Sequence, residues 1–336
     1  MRFSWIDKIV TLFLVMLVWI ATPVMPQAQA ASQDPVCPGG MAWISGGTFR
    51  LGDDNFFAEE KSAEDVTVSG FCLGRTEVTN AEFAQFVEAT GYVTIAERPL
   101  SKAQFPDLPD EKRSPGSLVF QMPDPDVTEV AYLSWWHWTP GADWRHPLGP
   151  DSNLNGKEDY PVVQIAFLDA VAYADWAGKS LPTEAEWEFA ARGGLKNKIF
   201  SWGNQFSPKK ANTWQGRFPF NNQQIDGYMG TAPVGSFPAN GYGLYDMTGN
   251  VWEWTSDWYR VGHDGMAHRS NPQGPEQKDS FDPKEPDGPK HVVKGGSYLC
   301  AKNYCSRYRP AARESQSPDT GTTHIGFRLV APPNSI

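Results

Sequence analysis

The chain has 336 residues, room for one large domain or two modest ones, and its net charge of −10 with no basic run makes it a poor candidate for binding nucleic acid. The 14 Trp, 31 Gly and 28 Pro exclude a mainly helical protein, because Gly and Pro interrupt any helical period, while 13% aromatic residues carry enough area for a sizeable core. Together they predict an irregular α+β domain of short elements and long, packed loops.

Residues 1–30 read as a secretory signal peptide. Arg2 and Lys8 flank the start, 9–21 is a short apolar run, and Ala28-Gln29-Ala30 is a small-residue cleavage site. The run is short for a membrane span, and an uncleaved N-terminal anchor is the competing reading. Cleavage leaves residues 31–336 as an acidic, exported domain without stable membrane insertion.

Residues 41–52 read as two strands about Gly46-Gly47, a hairpin signal. Residues 66–68 and 71–73 have strand character, interrupted at Ser69-Gly70. Thr79 and Glu82 then form a capping box ahead of Phe83, Phe86 and Val87, with Gly91 placed as the C-terminal cap. A second helix is predicted over about 168–177, partly burying Val171, Ala174 and Trp176. A third starts at Thr183, is closed by Glu186, turns Trp187 and Ala190 inward and ends before Gly193-Gly194. Between the first two helices, 92–166 is a long Pro-, Trp- and Asp-rich segment, and such loops are usually functional or ordered by specific contacts. The remainder, 195–336, reads as glycine-punctuated short strands and loops, with 271–290 an exposed excursion. No linker divides the mature chain, which predicts one domain.

Residues 294–313, KGGSYLCAKNYCSRYRPAAR, hold two of only four cysteines and five cationic side chains. Cys300 and Cys305 fall on opposite faces of a strand, or roughly 140° apart on a helix, so converging them needs a turn. Lys302-Asn303 suits that turn, and Gly295-Gly296 permits unusual dihedrals before it. From spacing alone, two nearby cysteines in an exported protein read either as a structural disulfide or as a metal site. Cys37 and Cys72 lie beside predicted strands and are expected to form a structural disulfide.

Several runs in order, GGTFRLG, EVTNAEFAQFV, WRHPLGPDS, LPTEAEWEFAARGGL, GNVWEWTSDW, GGSYLCAKNYCSRYR and IGFRLV, resemble the formylglycine-generating enzyme family, the sulfatase-modifying factors. The resemblance spans 41–330 and implies a single domain with little regular structure, related to C-type lectins. It implies an oxygen-dependent oxidase that converts a cysteine in a Cys-x-Pro-x-Arg motif of an unfolded sulfatase to Cα-formylglycine, acting as a monomer. By the same resemblance Cys300 and Cys305 would be catalytic and would bind Cu(I), which soft thiolates favour. Lys302, Arg307, Arg309 and Arg313 are then candidates to favour thiolates electrostatically. Ser297 matches a serine beside the cysteines, and Trp144 belongs to a run expected to line the peptide cleft. His324 either bonds substrate or is a satisfied polar residue. Two Ca²⁺ sites are implied: Asn212, Thr213, Asp226 and Tyr228 in one, and Asp246, Gly249, Val251 and Glu253 in the other. Carboxylate, amide and carbonyl oxygens suit this hard ion. Competing readings are a calcium-stabilised lectin-like binding module, which needs neither cysteine, and an oxidase maturing a secreted metabolite.

Overall fold

The computed structural model describes residues 35–103, 106–110, 113–124, 126–263 and 269–334. The predicted signal peptide lies outside them. Among the described residues no helix is long and apolar enough to cross a membrane.

The first four strands are β1 (Met41–Ile44), β2 (Gly47–Leu51), β3 (Glu64–Val68) and β4 (Phe71–Gly74). The predicted hairpin about Gly46-Gly47 does not form. β1 pairs with β4, from Met41 opposite Gly74, and β2 pairs with β3, from Gly47 opposite Val68. The two strand pairs make one antiparallel ribbon that bends where Gly46-Gly47 passes Ser69-Gly70. At Gly46 φ is +72° and a Cβ would lie 2.4 Å from the Val68 carbonyl oxygen. These glycines therefore serve close backbone approach at a bend, not reversal of the chain. The Cys37–Cys72 disulfide forms as predicted and ties the lead-in segment to β4.

All three helices appear. α1 (Asn80–Thr90) has the complete Thr79/Glu82 capping box and ends at Gly91 in the left-handed region. α3 (Glu184–Ala191) repeats the box with Thr183 and Glu186. α2 (Phe167–Trp176) buries Asp169, Ala170, Tyr173 and Ala174, whereas Trp176, expected inward, is 43% exposed. Asp169 turns in because its carboxylate accepts the Ala166 and Ile95 amides and the Tyr92 hydroxyl. A buried carboxylate persists only with such donors.

The segment 92–166 is not structureless. It contains β5 (Gly116–Phe120) and β6 (Trp136–Pro140), paired antiparallel. β7 (Trp252–Trp258), β8 (His291–Lys294), β9 (Arg313–Gln316) and β10 (Ile325–Gly326) form a sheet in the order β10-β7-β8-β9. β11 (Val330–Ala331) joins β4, so that sheet runs β1-β4-β11. The main core gathers Phe83, Phe86, Tyr173, Trp254 and Phe327 around α1 and α2. A smaller aromatic cluster of Trp135, Trp214, Phe218, Tyr298 and Leu299 sits beside the cysteine turn.

Candidate active site

β8 delivers the chain into the site. Beyond Lys294, Gly295 and Gly296 adopt φ of +96° and +73°, and a Cβ on Gly296 would come within 2.9 Å of the Tyr308 backbone. Only glycine lets strand and returning segment approach so closely. The chain then turns twice: the Cys300 amide bonds the Ser297 carbonyl (2.9 Å), and the Cys305 amide reaches back to the Ala301 carbonyl (2.9 Å). The second turn carries Lys302 and Asn303, and Asn303 Oδ1 accepts from the Phe218 amide (3.3 Å), pinning it to the aromatic cluster.

Both cysteines are buried, free of any disulfide, and line one cleft of about 790 Å³. Burial, with the bond Cys300 donates to Cys305, pushes the Cys300 thiol well up. Burial opposes ionisation of Cys305 too, yet the Cys300 bond and the Arg307 guanidinium hold its thiol below the ordinary value. The pair thus concentrates anionic character on one sulfur, which suits nucleophilic or metal-ligating work.

Of the four cations predicted to act on these sulfurs, only Arg307 lines the cleft. It pairs with Glu59 and, at 2.8 Å, with Glu314. Arg309 bonds Glu60, Arg313 pairs with Glu184 at 2.7 Å, and Lys302 is exposed. Ser297 is fully buried yet borders the cleft, its hydroxyl accepting from the Leu299 amide at 3.2 Å. His324 lines the same cleft, stacked on Trp136 with ring centroids 4.8 Å apart. Desolvation lowers its pKa to about 3, so its imidazole is neutral at physiological pH.

Trp144 is not in the cleft. It is 3% exposed, packs edge-on against Phe83 at 5.2 Å in the main core, and lies under Arg145. Its neighbours Tyr132, Trp135 and Trp136 are the ones that face the cleft, joined by Tyr304 stacked on Phe218 at 4.4 Å. The SWWHW run marked this segment as aromatic, but which rings line the cleft is decided by tertiary packing. Glu314 carried no sequence signal, since it reaches the cleft through the β8–β9 register.

Members of the first predicted calcium set are linked by hydrogen bonds. Asp226 accepts from the Thr213 and Tyr228 amides, both at 3.0 Å, and from the Gln215 side chain at 2.7 Å. Beside them Asn212 donates to the Gly230 carbonyl, while its buried Oδ1 has no hydrogen-bond partner. An orphaned buried amide oxygen next to a carboxylate fits a hard cation. Around the second set the backbone coils tightly, with φ of +55°, +79° and +58° at Asp246, Gly249 and Asn250. Asp246 is buried and pushed up to about 6, by burial above all. Val251 is fully buried, and Glu253 is bonded through both oxygens to Arg328. Among the described residues no three His, Cys, Asp or Glu side chains form a ready-made metal cage, so a cation here must draw on carbonyl and amide oxygens as well.

Fold and site together define an irregular α+β protein with a buried free-thiol pair at the base of an aromatic-walled cleft. The profile of the sulfatase-modifying factor enzyme 1-like domain matches residues 27–332, and the chain belongs to that family. It is 50% identical over 301 residues to a formylglycine-generating enzyme of Mycobacterium tuberculosis, covering 87% of this chain and 97% of that one. It is 46% identical over 297 residues to the formylglycine-generating enzyme of Mus musculus, covering 87% and 74%. Among solved structures, PvdO from Pseudomonas aeruginosa has the same fold, with a TM-score of 0.60 at 23% identity over 86% of this chain and 93% of that one.

Proposed function

We propose that this protein converts a cysteine of an unfolded sulfatase polypeptide, set in a Cys-x-Pro-x-Arg motif, to Cα-formylglycine. The observation that carries the reading is the pair Cys300 and Cys305, both reduced and both facing one open cleft. Two relatives named for this activity, each over 45% identical across 87% of the chain, support it. The two thiolates are a soft donor set that fits Cu(I), and copper so held would supply one-electron chemistry with O₂.

The protein's own residues provide the rest. Tyr132, Trp136 and Tyr304 offer aromatic faces for an extended peptide, and Ser297 holds the turn on which the cysteines ride. Burial of the pair keeps bulk water from the sulfurs. Arg307 favours the anionic form of Cys305. At the substrate, the S–H bond and one Cβ–H bond are broken and the two electrons and two protons pass to O₂, giving a thioaldehyde. Water then replaces the sulfur, which departs as hydrogen sulfide. Neutral His324 is placed to exchange a hydrogen bond with the peptide rather than to carry charge.

In this reading two Ca²⁺ ions, at the Asn212–Tyr228 and Asp246–Glu253 sets, staple loops that lack regular structure. The protein is exported by cleavage after residue 30 and works as a monomer. The lectin-like alternative leaves the two free, cleft-facing thiols without a purpose. The deciding experiment loads the mature chain with Cu(I), supplies oxygen and a Cys-x-Pro-x-Arg peptide, and detects aldehyde by mass and hydrazide capture. Aldehyde lost in both Cys300→Ser and Cys305→Ser is the expected result. A copper-loaded protein that yields none, or a serine variant with full activity, overturns the reading.

A further inference from the structure

Behind the Asp246 loop lies a charge imbalance that the ligand set above leaves unexplained. Glu77, Asp246 and Glu253 are 1%, 7% and 0% exposed and face one guanidinium, Arg328, itself fully buried. With all three ionised, three carboxylates against one cation would leave an excess of two negative charges in the protein interior. Arg328 cannot relieve it. Its Nε and Nη2 bond Glu253 at 2.6 and 2.7 Å, Nη2 also reaches the Tyr245 carbonyl, and Nη1 serves the Gly74 and Arg75 carbonyls. All five of its donors are therefore engaged. Glu77 Oε1 accepts from Asn250 Nδ2 at 2.9 Å, but Oε2 is buried without a hydrogen-bond partner, 3.8 Å from the guanidinium. The Asp246 carboxyl, whose Oδ2 accepts the Gly235 amide at 2.7 Å, interacts directly with that of Glu77.

A buried carboxylate oxygen without a donor is expensive and persists only where something else satisfies it. We infer that Glu77 Oε2 and Asp246 jointly hold a divalent cation, making Glu77 a ligand of the second calcium site in this chain. Two such charges match one Ca²⁺, and the chain coils tightly beside Asp246 through the positive-φ residues Asp246, Gly249 and Asn250. This rests on the calcium reading above, but adds a residue from the segment before α1, some 170 positions away in sequence.

The test uses the mature chain stripped with chelator and titrated with Ca²⁺, following heat of binding and melting temperature rather than turnover. The parent is expected to bind two ions. Glu77→Gln keeps the Asn250 contact and should weaken one of the two about tenfold or more. Asp246→Asn should weaken the same one, and Asn212→Ala only the other. If Glu77→Gln does not fold, Glu77→Asp carries the test: it keeps the charge but draws the oxygen back, should weaken the same ion, and parent-like affinity in it overturns the inference as well. Parent-like affinity in Glu77→Gln, or a parent binding only the ion lost in Asn212→Ala, overturns the inference. Aldehyde formation by that same preparation shows separately whether the enzymatic reading stands.

Discussion

Replacing Lys294 by Met removes the one lysine at the centre of a fully buried ion cluster. Its ammonium lies 3.2 Å from Glu184 and 2.9 Å from Glu188, both on α3, and all three side chains are essentially unexposed. Breaking a buried pair by removing one partner costs about 3–5 kcal/mol, since the other charge stays desolvated. Here each glutamate keeps an arginine: Arg313 holds Glu184 at 2.7 Å and Arg192 holds Glu188 at 2.6 Å. The low end, about 3 kcal/mol, is therefore expected. At about 2–4 °C per kcal/mol for chains of this size, melting should fall by roughly 6 °C or more. Calorimetry and urea unfolding of the mature protein measure it. The double variant Lys294→Met/Glu188→Gln removes charge of both signs and should recover about 1 kcal/mol or more. Despite burial, its cations hold Glu184 well below the usual carboxylate range, and Glu188 below it too. The stability they add is thus complete above the unfolded value near 4.5 and is lost as pH falls through their folded values. A loss below about 1 kcal/mol in Lys294→Met, or a double variant that loses more than the single, refutes the reasoning. The consequence for function is direct, because Lys294 is the last residue of β8 before the glycine pair that feeds the cysteine turn.

His291 is sandwiched between Phe167 and Trp258, centroids 3.4 and 3.7 Å away, and burial lowers its pKa to about 4. Its folded pKa is depressed, so its contribution is full above the unfolded value of 6.5 and declines as pH falls. His291→Gln should therefore flatten the acid limb of the stability profile by about 3 kcal/mol between pH 7 and pH 4, read from denaturant curves. An unchanged limb contradicts the neutral assignment. Trp144→Ala should cost about 3–5 kcal/mol in unfolding free energy, as for any large core ring, whereas Trp136→Ala should leave melting nearly unchanged and raise KM for the peptide. The reverse pattern would return Trp144 to the cleft.

Local signals were the most legible ones. The boxes at Thr79/Glu82 and Thr183/Glu186 are decided within four residues, and both helices begin where those residues place them. The need for a turn between Cys300 and Cys305 followed from strand and helix geometry alone. Properties that depend on a distant partner were hidden. Gly46-Gly47 carries the same residues a hairpin would, but the competing pairing with β3 and β4 turns it into a bend. Trp135, Trp136 and Trp144 are chemically equivalent in sequence, and only distant partners sort them: Phe83 of α1 holds Trp144 in the core, while Trp135 and Trp136 line the cleft. Glu77 reads as an ordinary polar residue before a helix until Arg328 and Asp246 are placed beside it.

The arginines of the cysteine segment sharpen that difference. In sequence, Arg307, Arg309 and Arg313 form one cationic run beside two thiols, and a collective effect on those thiols is the natural expectation. In the fold each has a separate carboxylate: Glu59, Glu60 and Glu184. The first two lie about 250 positions earlier, in a short helical turn, whereas the cysteine segment itself has almost no regular structure. A segment with so few backbone ladder bonds cannot hold two sulfurs in register through regular structure. Buried, bidentate pairs such as Arg309–Glu60 can, because leaving either partner desolvated and alone would cost several kcal/mol. Most of the run therefore fixes geometry, and only Arg307, held between Glu59 and Glu314 at the cleft wall, also acts on the sulfur electrostatically.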